Sequence, residues 1–166
     1  MDGGSLVVEV EYEERYWYPD DGGQVWLAGY HVVDSSTGRF LARDAAELVE
    51  RGLRVVGVAG AGQHHAEALA SDDAEPGRPL ELRRDASNPH DANAIAVHGR
   101  GGQQLGWVPR DVAAELAPEL DVGRPWAAVV LREQRRSPRD PRHGLTMLLA
   151  AAPSIELRMT GRDARR

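Results

Sequence analysis

The chain has 166 residues, of which 42% are hydrophobic and 28% charged, and its formal net charge at pH 7 is −6. These values are ordinary for a soluble globular protein, and the length suits one domain, or a small domain with an appendage. The sequence has no run of about 18 apolar residues, which argues against a membrane span. It also shows no basic start and apolar stretch of a signal peptide, so a cytoplasmic location is expected.

Residue usage excludes several kinds of chemistry. The chain has no cysteine, so disulfides, thiolate metal ligands and a cysteine nucleophile are excluded. All 20 basic residues are arginine, whose planar guanidinium binds phosphate or carboxylate through two hydrogen bonds. Residues 1–57 carry eleven acids against five arginines, whereas residues 58–166 carry fifteen of each. This balance argues against a general nucleic-acid coat, but it is compatible with a small pocket for one strand end.

The first third of the chain is predicted to form a β-hairpin followed by a short helix. Residues 6–12 and 24–33 are rich in strand formers and are separated by turn residues. Asp44 suits the N-cap of a helix and Gly52 its C′ position, which predicts a helix over residues 45–52. Residues 1–53 are therefore treated as an extension whose role the sequence leaves open, with a protein partner at this acidic region as one possibility.

Six further strands are predicted downstream. They fall at residues 54–59, 80–84, 94–97, 105–108, 126–131 and 144–151. Residues 61–74 are expected to form one or two helical turns. Residues 111–120 are expected to form a helix with Pro109 in its first turn. Many short strands around two short helices indicate a mainly β fold, an OB-like or SH3-like small barrel of about six strands over residues 54–152.

Two segments are predicted to lie outside regular structure. Residues 132–143 are proline-bearing and rich in arginine. They are interpreted either as a solvated loop or as an arm that follows a nucleic-acid backbone. Residues 153–166 are expected to be a basic, flexible tail.

The most informative segment is residues 88–97, which read Asn-Pro-His-Asp-Ala-Asn-Ala-Ile-Ala-Val. Its first half consists of turn formers and its second half is a short apolar strand, so polar side chains are held on a rigid scaffold. Residues 106–110, Gly-Trp-Val-Pro-Arg, follow nine residues later. An alternative interpretation is a purely structural turn in which Asn88 and Asp91 cap backbone N–H groups, with Asn93 also bonding the turn.

These two motifs, in this order around a Gly-rich hairpin and before a helix, resemble the HIRAN domain family. The domain occurs alone in bacteria, which is the form expected here, and also at the N-termini of fork-remodelling helicases. The resemblance covers roughly residues 54–152. It implies a modified OB-like barrel with two helices that captures the 3′ end of single-stranded DNA. In such a site, bases stack on aromatic side chains and the terminal hydroxyl is hydrogen-bonded.

Carried over residue by residue, the resemblance implies five binding residues. Asn88 matches the first asparagine of the family's motif and His90 the position of a stacking tyrosine. Asp91 would accept a hydrogen bond from the terminal hydroxyl. Trp107 replaces a histidine, although its alternative is a core position on its strand. Arg110 replaces a lysine that contacts phosphate, a role that arginine also fills.

Two positions depart from the family's pattern. Its Arg-Tyr pair corresponds to Ala59 and Gly60, and a later phenylalanine corresponds to Leu145. The loss of stacking aromatics would weaken binding of a strand end. His64 and His65, a few residues further along the chain, are the predicted replacements.

The primary hypothesis is a non-catalytic module, without a cofactor, that binds single-stranded DNA at its 3′-hydroxyl end in DNA repair or processing. The histidines lack metal-ligand spacing and there is no Gly-x-Ser-x-Gly elbow, so neither a metal site nor catalytic residues are predicted. A hydrolase would rest on the histidine count alone. The main alternative is a protein-interaction or adaptor domain that kept the barrel and lost the pocket, which the net negative charge favours.

Overall fold

The computed structural model describes residues 4–17 and 25–160. Its elements in chain order are β1 (Ser5–Trp17), β2 (Val25–Val32), α1 (Ala46–Glu50), β3 (Leu53–Gly57), α2 (Ala61–His64), α3 (Ala66–Leu69), a 3-10 turn (Asp72–Ala74), β4 (Pro79–Arg84), β5 (Ile95–Gly99), β6 (Gln104–Trp107), α4 (Arg110–Asp121), β7 (Ala127–Arg135), β8 (Gly144–Ala150) and β9 (Ser154–Met159). The mainly β fold predicted from the sequence is confirmed.

Strands β3 to β8 form a barrel-like unit. β3 pairs with β8, β8 with β7, β7 with β4, β4 with β5, and β5 with β6, all antiparallel. The sheet is not closed by strand pairing, but Ala59, just beyond β3, forms an isolated antiparallel bridge with Trp107 at the end of β6. Both ends of the six-strand run therefore meet at this bridge, around a core that includes Leu69, Ile95, Leu105, Leu116 and Met147.

The predicted N-terminal hairpin is present, and it is built into the same sheet as the barrel-like unit. β2 pairs with β7, and β1 pairs in parallel with β9. A second core lies between this layer and the outer side of β3, β7 and β8; it includes Val8, Val10, Leu53, Leu131 and Leu148. At Gly29, where β2 pairs with β7, the two backbones are so close that an added Cβ would lie 2.1 Å from the carbonyl oxygen of Leu131, which requires glycine there.

The flexible-tail prediction for residues 153–166 is wrong where the structure describes them. Ser154–Met159 form β9, whose Ile155 and Leu157 pack against the second core. Their alternation with polar neighbours was the strand signal that the basic composition obscured. Residues 161–166 lie outside the described residues.

The loop prediction for residues 132–143 is wrong at its start, since β7 continues through Arg135. Smaller differences concern helix ends: Ala45, not Asp44, lies at the N-cap of α1, and Pro109 caps α4 instead of lying in its first turn. No helix in the described part of the chain is long and apolar enough to cross a membrane.

Candidate functional site

A pocket of about 320 Å³ lies where the bridge between Ala59 and Trp107 meets the turn between β4 and β5. We name it the Trp107 pocket; its lining residues are Ala59, Asn88, His90, Asp91, Ala94, Trp107, Val108 and Arg110. The structure therefore brings together five of the predicted site residues, which come from the turn, the end of β6 and the start of α4.

Asn88 holds the shape of the turn. Its side-chain Oδ1 accepts hydrogen bonds from the backbone N–H groups of His90 (2.8 Å) and Asp91 (3.2 Å), and its Nδ2 donates to Asp85 Oδ2 at 3.2 Å. An asparagine that bonds the backbone two and three residues ahead favours a turn over helix or strand. Asn88 therefore positions its two neighbours, and its amide group already has partners within the turn.

Arg84 does not line the Trp107 pocket but holds its turn in place, a role that the sequence analysis missed. Its Nη1 donates to the carbonyl oxygens of Ala92 and Ala94, both at 3.0 Å, while Nε and Nη2 bind the two carboxylate oxygens of Asp121 at 2.9 and 3.1 Å. These hydrogen bonds hold the pKa of Asp121 below its ordinary value. The guanidinium thus ties the turn to the end of α4, a pairing 37 residues apart that one sequence does not reveal.

Asp91 and Arg110 form the polar end of the Trp107 pocket. Asp91 Oδ1 accepts from the backbone N–H of Asn93 at 2.9 Å, and Oδ2 lies 3.5 Å from Arg110 Nε. Arg110 Nη2 also donates to the carbonyl oxygen of His90 at 2.7 Å. These contacts offset the unfavourable position of a cation at a helix N-terminus. Because the Arg110 side chain is 76% exposed, its outer surface is accessible to an anion.

Trp107 supplies the flat apolar wall of the pocket. Its backbone pairs with Ala96 inside the sheet and with Ala59 across the bridge, so the position of the residue is fixed from both sides. Its side chain is half-buried and lies outside the two hydrophobic cores. An indole in this setting can stack against a base, and the exposed His90 lines the same pocket.

His64 and His65 lie elsewhere. They line a separate cleft of about 580 Å³ together with Ala66, Glu67, Ala68, Gln103 and Gln104; we name it the histidine cleft. Leu145, for which the resemblance implied a pocket position, is only 3% exposed and belongs to the barrel core, so it does not line a surface pocket.

The arginines after Leu131 are largely occupied within the protein. Arg135 Nε and Arg142 Nε bind the same oxygen of Glu133, at 2.6 and 3.0 Å, and Glu133 is only 7% exposed. Arg142 also donates to the carbonyl oxygens of Leu69 and Ser71. Arg135 and Arg142 therefore hold this segment in place through contacts within the protein. If the segment follows a nucleic-acid backbone, the arginines available for phosphate contacts are Arg136 and Arg139, which are exposed.

Within residues 4–17 and 25–160, no group of three or more His, Asp or Glu side chains is placed to hold a metal ion. The predicted site residues that do converge are those of the Trp107 pocket, which combines an aromatic wall, a hydrogen-bond acceptor and an accessible cation. These are the groups that single-stranded nucleic-acid sites use for bases and phosphates.

A family model described as the HIRAN domain matches residues 53–141. The crystal structure of the HIRAN domain of human HLTF is similar at 24% identity, over 59% of this chain and 74% of that chain, with a TM-score of 0.44. A crystal structure of a protein from Lactobacillus plantarum is similar at 22% identity, over 58% of this chain and 91% of that chain, with a TM-score of 0.46. No curated protein matches. The chain belongs to the HIRAN domain family, known as a DNA-binding module, and this membership supports nucleic-acid binding.

Proposed function

We propose that this chain binds the 3′-hydroxyl end of single-stranded DNA in the Trp107 pocket, in DNA repair or processing, and that it does so without catalysing a reaction. The observation that carries this proposal is the convergence of Trp107, Asp91 and Arg110 in one open pocket. Stacking, hydrogen-bond acceptance and phosphate binding are the three interactions that a strand end requires.

Each side chain has one role in the proposed complex. The terminal base stacks on the indole of Trp107, with the imidazole of His90 at its edge. Asp91 accepts a hydrogen bond from the terminal hydroxyl, since its carboxylate still has lone pairs beyond those used by Asn93 and Arg110. Arg110 binds the phosphate that links the last two nucleotides.

The charge of Asp91 explains a preference for a hydroxyl end. A terminal phosphate placed beside this carboxylate would meet a like charge at short range, whereas a hydroxyl donates to it. Internal nucleotides lack the free hydroxyl and continue into a further phosphate. The pocket is therefore expected to discriminate ends from the interior of a strand.

The test compares three ligands of one sequence: a linear oligonucleotide with a 3′-hydroxyl, the same oligonucleotide with a 3′-phosphate, and its circularised form. Fluorescence anisotropy at low salt measures the three dissociation constants. We expect the hydroxyl end to bind at least about tenfold more tightly than the other two, which corresponds to one charge-assisted hydrogen bond. Equal binding of all three would overturn end recognition.

A protein-interaction domain is the second candidate. The observation that favours it is an acidic cleft of about 350 Å³ on the N-terminal hairpin, lined in part by Glu9, Glu11 and Asp34. A phosphate-driven contact strengthens as salt is lowered. Complete lack of oligonucleotide binding at low salt would therefore favour this candidate over the first.

A further inference from the structure

We propose that the histidine cleft binds the nucleotide that precedes the strand end, and that the strand reaches it from the Trp107 pocket by passing over Gly60. This inference rests on the proposed function. It concerns a cleft whose residues are distinct from those of the Trp107 pocket. The ligand class is the sugar-phosphate backbone of a single strand.

Gly60 lies between the two sites. A Cβ built on it would lie 3.7 Å from Cδ1 of Trp107 and 3.8 Å from Cδ2 of His64, so the indole and the imidazole both border the space above this residue. Strand β6 makes a second connection, because Gln104 lines the histidine cleft and Trp107, three residues along, lines the pocket.

The backbone at Gly60 keeps this passage open. Its φ of +73° is a conformation that residues with a side chain rarely adopt. A larger residue would place atoms between the two rings and separate the sites. The absence of a side chain at Gly60 therefore connects the pocket to the cleft behind it.

The cleft offers hydrogen-bond donors without a permanent cation. His64 is exposed and His65 is half-buried, and each imidazole can donate from a ring nitrogen to a phosphate oxygen. Burial, with His64 and His98 nearby, lowers the pKa of His65, so its contact at neutral pH is a hydrogen bond between a neutral ring and a phosphate. Glu67 is the carboxylate among the residues that line the cleft. Because its negative charge repels a phosphate, the phosphate is expected to lie beside the two histidines and away from Glu67.

The test measures how affinity depends on ligand length. Two unlabelled 3′-hydroxyl ligands, a nucleoside 5′-monophosphate that fills the Trp107 pocket alone and an oligonucleotide of six nucleotides, compete with a labelled strand for binding to the full chain. We expect the longer ligand to bind about fivefold more tightly, the net value of about one additional hydrogen bond. In the double variant His64→Ala/His65→Ala this advantage should disappear.

Gly60→Asn provides an independent variant, because asparagine tolerates positive φ and its side chain would fill the passage. We expect it to abolish the length advantage as well. Gly38→Asn is the matched control: Gly38 has the same φ of +73°, a Cβ built on it would meet nothing within 4 Å, and it lies far along the chain from either site. It should keep the advantage of the wild-type chain.

The outcomes separate the two proposals. If both ligands bind and the length advantage persists in the double variant and in Gly60→Asn, the cleft proposal is overturned while end binding stands. If neither ligand binds at low salt, the proposed function itself fails, and this inference fails with it. Circular dichroism melting curves of each variant confirm that a lost advantage does not reflect unfolding.

Discussion

Ala59 and Trp107 exchange both of their backbone hydrogen bonds, at 2.8 Å from Ala59 N and 2.9 Å from Trp107 N. This exchange links the end of β3 to the end of β6 and places the indole beside the turn that contains Asn88 and Asp91. Because the bridge uses main-chain atoms alone, either side chain can be changed while the link is kept. The contribution of the Trp107 ring to binding can therefore be measured separately from its contribution to the fold.

Replacing Trp107 with alanine should weaken binding of a 3′-hydroxyl oligonucleotide by about 5- to 150-fold, since a lost base-stacking aromatic costs about 1–3 kcal/mol. Trp107→Phe should retain most of the affinity. Trp126→Phe is the control, because Trp126 donates to Glu119 and packs against the barrel core away from the pocket. Fluorescence anisotropy titrations measure the dissociation constant of each variant. A Trp107→Ala variant with wild-type affinity would refute stacking at this ring.

Removal of the Arg110 guanidinium should change the salt dependence of binding. If Arg110 contacts one phosphate, Arg110→Ala should reduce the slope of log K against log salt by about 1. Arg100→Ala is the comparison, because Arg100 is an exposed arginine at the tip of the β5–β6 hairpin. Equal slopes for the two variants would mean that Arg110 makes no specific phosphate contact.

The discrimination between strand ends should depend on the charge of Asp91. In Asp91→Asn an amide oxygen remains to accept from the backbone N–H of Asn93, so the turn is kept while the negative charge is lost. The preference for a 3′-hydroxyl over a 3′-phosphate should then fall to about twofold or less, since the like-charge repulsion is gone. Dissociation constants for both ends, measured in parallel, test this; an unchanged ratio would exclude Asp91 from end selection.

Asn88 should affect stability as well as binding. Asn88→Ala leaves the backbone N–H groups of His90 and Asp91 without their acceptor, and losing such hydrogen bonds costs about 1–3 kcal/mol of unfolding free energy. Asn93→Ala keeps the backbone N–H that Asp91 binds and should cost much less. Urea denaturation compares the two, and equal destabilisation would contradict a special role of Asn88 in the turn.

A histidine outside the site should make stability depend on pH. Burial and the nearby Arg132 lower the pKa of His31 from its ordinary value of 6.5, and its ring stacks on Phe40 at 4.4 Å. The nearby Glu13, whose Oε1 lies 3.1 Å from His31 Nε2, opposes this shift without reversing it. The folded state therefore keeps His31 neutral to a lower pH than the unfolded chain, which protonates it near pH 6.5. This contribution to stability is present above about pH 6.5 and is lost as the pH falls, by at most about 1.4 kcal/mol per pH unit.

His31→Gln removes this titration. The unfolding free energy of the variant should decline less steeply between about pH 7 and pH 5 than that of the wild-type chain. Urea midpoints at several pH values supply both curves. Parallel curves would show that His31 does not contribute to the pH dependence.

Local patterns in the sequence were sufficient for most of the fold. The strands of the hairpin and the barrel carry either alternating patterns or short continuous apolar runs, as in β8, and α4 carries a period-3.6 pattern; each element is present. The wrong predictions, a loop from residue 132 and a flexible tail from residue 153, concern segments in which charged residues obscure the apolar pattern of a strand. Arg132 and Arg135 read as loop residues, yet they continue β7, with Arg135 paired to the buried Glu133. The ion pair compensates the buried charge of Glu133 at a place where other strands carry apolar side chains.

The candidate site, like the fold, could be predicted from the sequence only where it is built from local structure. The motif residues of the Trp107 pocket were identified from two short segments, because the turn and the following strand and helix are local structures. Arg84 was missed because its partner Asp121 is distant in the sequence. His64 and His65 were placed in the same site as the motif, and the structure puts them in a neighbouring cleft, since the orientation of α2 is set by packing rather than by spacing.

Occupation of the Trp107 pocket by a 3′-hydroxyl strand end can be observed by NMR, by titrating a 3′-hydroxyl dinucleotide into ¹⁵N-labelled protein. We expect the largest chemical-shift changes at the indole N–H of Trp107 and at the backbone amides of His90, Asp91 and Arg110. The 3′-phosphate form should produce much smaller changes at equal concentration. Chemical-shift changes confined to the N-terminal hairpin, with the Trp107 indole signal unmoved at saturation, would exclude binding of the strand end in this pocket.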